Sequence, residues 1–153
     1  MTSIAIGQPA PAFELRNQAK ELVSLDDFKG RKTLIVFIPF PFTGICDAEG
    51  CAIRDGLGAL EAMDANVVVI TAHSTPTNAK WAAENNFEFP ILSDYWPHGE
   101  VSQAYGTFND TLGAAMRTSF VLDADGIVRD IIATESLGVA REHEAQMNAL
   151  AAV

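Results

Sequence analysis

Cys46 closes the stretch Pro39-Phe-Pro-Phe-Thr43-Gly-Ile-Cys46, and the chain's only other cysteine, Cys51, follows five residues later. The apolar run Leu34–Ile38 leads into this stretch and a helix-compatible segment follows it. A thiol at such a junction meets the positive end of the helix dipole and a cluster of unpaired backbone N–H groups. A cysteine beside an apolar strand is ordinarily a small buried hydrophobe. Here, however, Thr43 stands three residues before it, with a hydroxyl that can reach the sulfur or an oxygen bound to it. Pro39 and Pro41 fix φ and remove N–H groups, giving a stiff approach that can shield a thiolate from water. The implied chemistry is nucleophilic attack by the sulfur of Cys46.

Acidity alone would not make such a thiol fast. Bringing a thiol from about 8.5 to about 6 raises its thiolate fraction at pH 7 roughly 30-fold. Nucleophilicity falls roughly 10-fold over the same shift, so the net gain is only about threefold. The rest must come from groups that stabilise charge on the leaving atom. For an O–O bond split by sulfur, that calls for a cation or N–H donors along the S···O···O line. Arg117, at the head of the apolar run Thr118–Leu122, is the best candidate. A surface arginine on a strand is the plainer reading of it. Glu49, one helical turn after Cys46, can hold such an arginine by a bidentate contact; equally, it can be an acid complementing the helix dipole.

At 153 residues and 48% hydrophobic, the chain is expected to form a single domain, 1–153, with a self-sufficient core. A formal net charge of −10 excludes nucleic acid and anionic membrane as natural partners, since both need basic surface. No apolar run is long enough to span a bilayer, and the stretch Met1–Gly7 lacks the basic-then-apolar layout expected of a secretory signal. Two cysteines are too few for a disulfide scaffold, so a reducing cytoplasmic setting is expected.

Short β-prone runs at Ala12–Leu15 and Glu21–Val23 predict an N-terminal hairpin, and Ser24 the cap of one helical turn that Gly30 ends. Thr33–Ile38 and Val67–Ile70 are apolar on both faces and predict buried central strands. Gly44 to about Met63 reads as one helix weakened by Gly50, Gly56 and Gly58, at roughly 1 kcal/mol each relative to Ala. Thr77–Asn85 predicts a helix started by Pro76, and Phe89–Asp94 a short strand and turn. Gly99–Tyr105 reads as a short helix. Ala114–Leu122 and Ile127–Thr134 predict a hairpin turning at Asp123–Gly126, and Val139–Ala152 a closing amphipathic helix. This order implies an α/β thioredoxin-like fold, a central mixed sheet with helices on both faces.

Pro39-x-x-x-Thr43-x-x-Cys46 resembles the peroxiredoxin active-site pattern, and Arg117 ahead of Thr-Ser-Phe-Val-Leu-Asp123 resembles that family's distal arginine. Gly7–Leu15 is similar to the family's N-terminal segment. Phe42–Cys46, Phe89–Gly99, Val101–Gly106 and Phe108-Asn109 resemble most the AhpE group of one-cysteine peroxiredoxins. The resemblance implies a thiol-dependent peroxidase acting on hydrogen peroxide, organic hydroperoxides and peroxynitrite, with no cofactor or metal. It implies that Cys46 attacks the peroxide to give a sulfenic acid, Thr43 bridges sulfur and peroxide, and Pro39 shields the pocket. Arg117 would polarise the oxygens, backbone N–H groups near Gly44–Cys46 would complete the site, and Glu49 would orient Arg117. A homodimer, and a thiol reductant returning Cys46 to its reduced state, are likewise implied.

Cys51 departs from the AhpE pattern and resembles the resolving cysteine of Q-type (bacterioferritin-comigratory) peroxiredoxins. In a helix, five residues leave the two Cα atoms more than about 8 Å apart, whereas a disulfide tolerates up to about 7 Å. Resolution therefore requires unwinding, which Gly44 and Gly50 would ease; otherwise Cys51 is a bystander. Thioredoxin would be the reductant in the first case, a low-molecular-weight thiol with its redoxin in the second. Phe40, Phe42, Trp96 and Phe108 are candidates to line a pocket for the organic part of a hydroperoxide, or simply to pack. His73, His98 and His143 show no zinc-type spacing with the cysteines. The alternatives are a thiol–disulfide oxidoreductase, for which C-x-x-C is missing, and a non-catalytic or copper-binding module, for which the cysteine spacing is one residue too long.

Overall fold

Strand β3 (Thr33–Phe37) is buried at every position, because it runs through the middle of a seven-stranded sheet. The computed structural model describes residues 4–134 and 136–153. The N-terminal hairpin is β1 (Glu14–Arg16) with β2 (Leu22–Ser24), and β4 (Asn66–Thr71) and β5 (Ile91–Ser93) follow. The C-terminal pair is β8 (Thr118–Leu122) with β9 (Val128–Ala133), and the order across the sheet is β2-β1-β5-β4-β3-β8-β9. β3 pairs parallel with β4, Leu34 opposite Val67, and antiparallel with β8, Ile35 opposite Phe120. This is the mixed α/β thioredoxin-like sheet expected from the sequence.

The pleat sorts β3 into two cores. Leu34, Val36 and Ile38 join Cys46, Ile53, Leu60, Trp81 and Leu150, so α1 (Gly44–Asp55), α2 (Leu57–Ala62), α3 (Thr75–Asn85) and α5 (His143–Ala151) cover one face. Ile35 and Phe37 join Leu25, Val101, Tyr105 and Phe120, so the single 3₁₀ turn Leu25–Phe28 and α4 (Glu100–Ala104) cover the other. Because β3, β4 and β5 run parallel, their C-terminal ends bring the loops around Pro39, His73 and Asp94 to one edge, where open α/β sheets place their sites.

Three sequence expectations change. The helix over 44–63 is broken at Gly56, where the imidazole of His143 packs against the backbone; a Cβ there would lie 2.7 Å from Nε2. The strand over 114–122 is interrupted at Met116 and Arg117: β7 (Ala114–Ala115) pairs with β6 (Phe108–Asn109) in a separate ribbon, and β8 starts afterwards. The last helix starts at His143 rather than Val139, because the preceding segment delivers Arg141 into the interior.

Gly50 is also not the soft point its composition suggests. A Cβ there would sit 2.6 Å from Cζ of Phe87, a ring held between Trp81 and Phe89 with centroids 5.0 Å away on each side. Gly50→Ala is therefore expected to lower the urea midpoint, since overpacking costs about 1–3 kcal/mol and the helix-propensity gain of about 1 kcal/mol offsets only part of it. Gly58→Ala, with open space around its Cβ, is the control and should raise the midpoint.

Candidate active site

Cys46 lies in the first turn of α1 with no exposed surface. The backbone N–H of Phe40 donates to its Sγ at 3.4 Å. That N–H belongs to the approach loop, and it reaches the sulfur from across the junction, alongside the first-turn N–H groups of Gly44–Cys46. Thr43 is the N-cap of α1, but its hydroxyl donates to the Phe40 carbonyl at 2.6 Å and does not cap the helix. The first-turn N–H groups thus keep no side-chain partner on the helix end nearest Cys46. Pro39 is buried beneath the loop. Phe42 holds a left-handed backbone, φ 69, with a side chain 44% exposed, and Asp47 Oδ1 accepts its N–H at 3.1 Å. The same oxygen accepts from Trp81 Nε1 at 2.7 Å, which ties the loop to α3.

Arg117 is 4% exposed and reaches α1 across the fold. Its Nη1 donates to Glu49 Oε1 at 2.5 Å and its Nε to the Leu137 carbonyl at 2.7 Å. Among the described residues Nη2 has no hydrogen-bond partner. A second arginine completes the network. Arg141 donates to Glu49 from its backbone N–H (2.9 Å), Nε (2.8 Å) and Nη2 (2.8 Å), and its Nη1 donates to Ser119 Oγ at 3.2 Å. Burial pushes the Glu49 carboxyl up, but the hydrogen bonds and charge of Arg141, with the charge of Arg117, outweigh it and hold the pKa below the ordinary carboxylate value. The result is a buried thiol under an N–H donor, and an immobilised guanidinium fixed to the same helix one turn further on.

The AhpC/TSA family model matches residues 6–131. The chain belongs to that family, the peroxiredoxins. Alkyl hydroperoxide reductase E of Mycobacterium tuberculosis is 44% identical over 149 residues, 97% of each chain. A bcp peroxiredoxin of Haemophilus influenzae is 30% identical over 137 residues, 86% of this chain and 87% of the other. Among solved structures, peroxidoxin BcpB of Mycobacterium tuberculosis superposes with a TM-score of 0.87 at 28% identity over 98% of both chains. Enterococcus faecalis AhpC, at 23% identity, shares the fold with a TM-score of 0.89 over 97% of this chain and 92% of the other. This peroxiredoxin, close to the AhpE type, is a thiol-dependent peroxidase. The relatives favour neither a thioredoxin-type oxidoreductase nor a non-catalytic module.

Cys51 stands apart from this constellation. Both cysteines are free and both lie within the continuous α1 of the peroxiredoxin. The Cys51 thiol turns to α3, 4.0 Å from Asn85 Oδ1. That segment of α1 is anchored by Arg54 Nη1 to the Asn85 carbonyl at 2.9 Å as well as by the packing of Gly50. Of the aromatic candidates, Phe40 packs half-buried against His73, Phe108 against His98, and Trp96 is 81% exposed. Arg141 escaped the sequence reading because Val139–His143 looks like the opening of a helix, whereas α5 starts only at His143.

Proposed function

We propose that the peroxiredoxin reduces hydrogen peroxide, organic hydroperoxides and peroxynitrite at Cys46. The thiolate attacks the terminal oxygen, the O–O bond breaks, and the leaving oxygen takes a proton: Cys46–S⁻ + ROOH + H⁺ gives Cys46–SOH + ROH. Arg117 stabilises the charge on the departing oxygen, Thr43 positions the peroxide, Pro39 keeps water from the sulfur, and Glu49 with Arg141 fixes the guanidinium. The observation that carries this reading is the joint placement of Phe40 N–H on the sulfur of Cys46 and of Arg117 on Glu49, one turn along the same helix. Cys51 resolves the sulfenic acid: its thiol displaces water to form a Cys46–Cys51 disulfide, which thioredoxin then reduces in the cytoplasm. For this, α1 must part from α3 over Asp47–Asp55. The exposed aromatic surface at Tyr95 and Trp96, 53% and 81% exposed, supports a homodimer.

The test is one equivalent of hydrogen peroxide added to reduced protein, followed by thiol counting and intact mass. The parent is expected to lose both thiols and two hydrogens within seconds. Cys51→Ser should gain one oxygen at its single thiol and over-oxidise faster with excess peroxide. Cys46→Ser should lose nothing. An unreacted parent sinks the peroxidase reading; a stable sulfenic acid in the parent sinks only the role of Cys51.

A further inference from the structure

We infer that His73 is a positioning residue for Cys46, acting through the single peptide unit that joins Pro39 to Phe40. The inference rests on the reading of Cys46 as the reacting sulfur. That peptide unit is engaged at both ends. His73 Nε2 lies 3.2 Å from the Pro39 carbonyl oxygen, and the N–H on the far side of the same amide donates to Cys46 Sγ at 3.4 Å. A carbonyl can only accept, so Nε2 carries the proton. Donation into the carbonyl draws electron density through the amide and makes its N–H a stronger donor, by about 10–30% per bond in such chains. The form of Cys46 that gains most is the thiolate, because hydrogen bonds to ions are the stronger ones.

The imidazole is built into place rather than loosely adjacent. The His73 N–H donates to Thr71 Oγ1 at 3.2 Å, and its carbonyl accepts from Ser93 Oγ at 2.5 Å. Thr71 in turn donates to the buried Asn78 at 2.8 Å, so β4, β5 and α3 all fix the residue. Its ring stands edge-on to Phe40, centroids 6.0 Å apart. Thr43 holds the Phe40 carbonyl, the next one along the loop. Burial lowers the His73 pKa, the Pro39 carbonyl opposes this, and the charge of His98 adds to it, so the ring is a neutral donor at neutral pH. The other titratable groups nearby are otherwise committed. Asp47 Oδ1 accepts from Trp81 and Phe42, Glu49 is held by Arg117 and Arg141, and the His98 ring nitrogens face the carbonyls of Tyr95 and Gly113.

The experiment compares His73→Gln, His73→Asn and His73→Leu in a Cys51→Ser background, so that alkylation by iodoacetamide as a function of pH reports Cys46 alone. Glutamine presents an amide N–H at the distance of Nε2; asparagine stops short. The expected result is a thiolate midpoint raised by about half a pH unit in the Asn and Leu variants, and within about 0.2 unit of the background in the Gln variant. The acid limb of peroxide consumption should move with it, while the plateau rate stays within about twofold, because nucleophilicity rises as acidity falls. A loop merely loosened would lose plateau rate with no such shift. An unshifted midpoint in Asn and Leu overturns the inference. So does a Gln variant that is folded and shifted as far as Leu, since the ring's packing and not its N–H would then be responsible. A background protein that alkylates as expected but consumes no peroxide refutes the peroxidase reading instead and leaves the role of His73 standing.

Discussion

Arg117→Met is expected to slow peroxide consumption about 100- to 1,000-fold, the range seen when one preorganised donor to a developing oxyanion is removed. The size of the effect follows from what the thiol cannot do alone. Acidifying a cysteine yields a net gain of only about threefold at neutral pH, because reactivity per thiolate falls as the thiolate fraction grows. The remaining acceleration has to come from donors aimed at the leaving oxygen; of the two buried arginines tied to the helix of Cys46, Arg117 is the one with a nitrogen, Nη2, that has no hydrogen-bond partner among the described residues. Two of its nitrogens are committed to Glu49 and to the Leu137 carbonyl, which orients the guanidinium plane before substrate arrives. Methionine keeps much of the volume, and Glu49 keeps its three contacts with Arg141, so the fold should survive. Alkylation by iodoacetamide, which needs no oxyanion stabilised, should fall far less than peroxide consumption. Arg117→Lys should recover only part of the loss, because a point charge cannot serve Glu49, Leu137 and a peroxide together. Parity between the two losses, or a peroxide rate within tenfold of the parent, would remove Arg117 from the mechanism.

The parts of this site that were legible in the sequence are those written in local pattern. β3 could be recognised because a run apolar on both faces has few places to go except the middle of a sheet. The position of Cys46 followed from it, since the strand must end before Pro39. The pairing of Glu49 with Arg117 spans 68 residues and was reachable only by asking which cation the chemistry lacked. Arg141, 92 residues from Glu49, left no such trace. Its segment has the composition of a helix start, but there the backbone N–H of Arg141 donates to Glu49 Oε2 rather than entering a helix. The break before β8 lies at Met116, whose N–H turns to the Thr107 carbonyl at 2.7 Å, while the Arg117 carbonyl still accepts from Thr134 N–H at 3.3 Å. Gly50 misled for a different reason. Propensity records what a glycine costs an isolated helix and is blind to the ring of Phe87 that only a glycine admits. His73 looked like an unremarkable lone histidine because its meaning lies in the far side of a peptide bond in another loop.

Glu49→Gln should show how much of the stability rests on that network, and it is expected to cost about 3–5 kcal/mol at pH 7. The change is isosteric, so packing is kept and only the charge is lost. Arg117 and Arg141, 4% and 5% exposed, are then left as two buried cations around a neutral amide whose NH₂ must face a guanidinium. The pH dependence has a definite sign. The carboxyl of Glu49 is held below its ordinary value in the folded protein, so its ionised form stabilises the fold. That contribution is fully present above the unfolded-state value of about 4.3 and is lost as the pH falls through the lower folded value. The gap between parent and variant in urea unfolding should therefore be constant from pH 7 to about pH 5 and close progressively below about pH 4. A gap that stays the same at low pH would mean the variant is destabilised by misfit rather than by charge. A gap under about 1 kcal/mol at pH 7 would mean that water enters and screens the arginines as it does at a surface, and the guanidinium of Arg117 could not then be held rigidly enough for the role assigned to it.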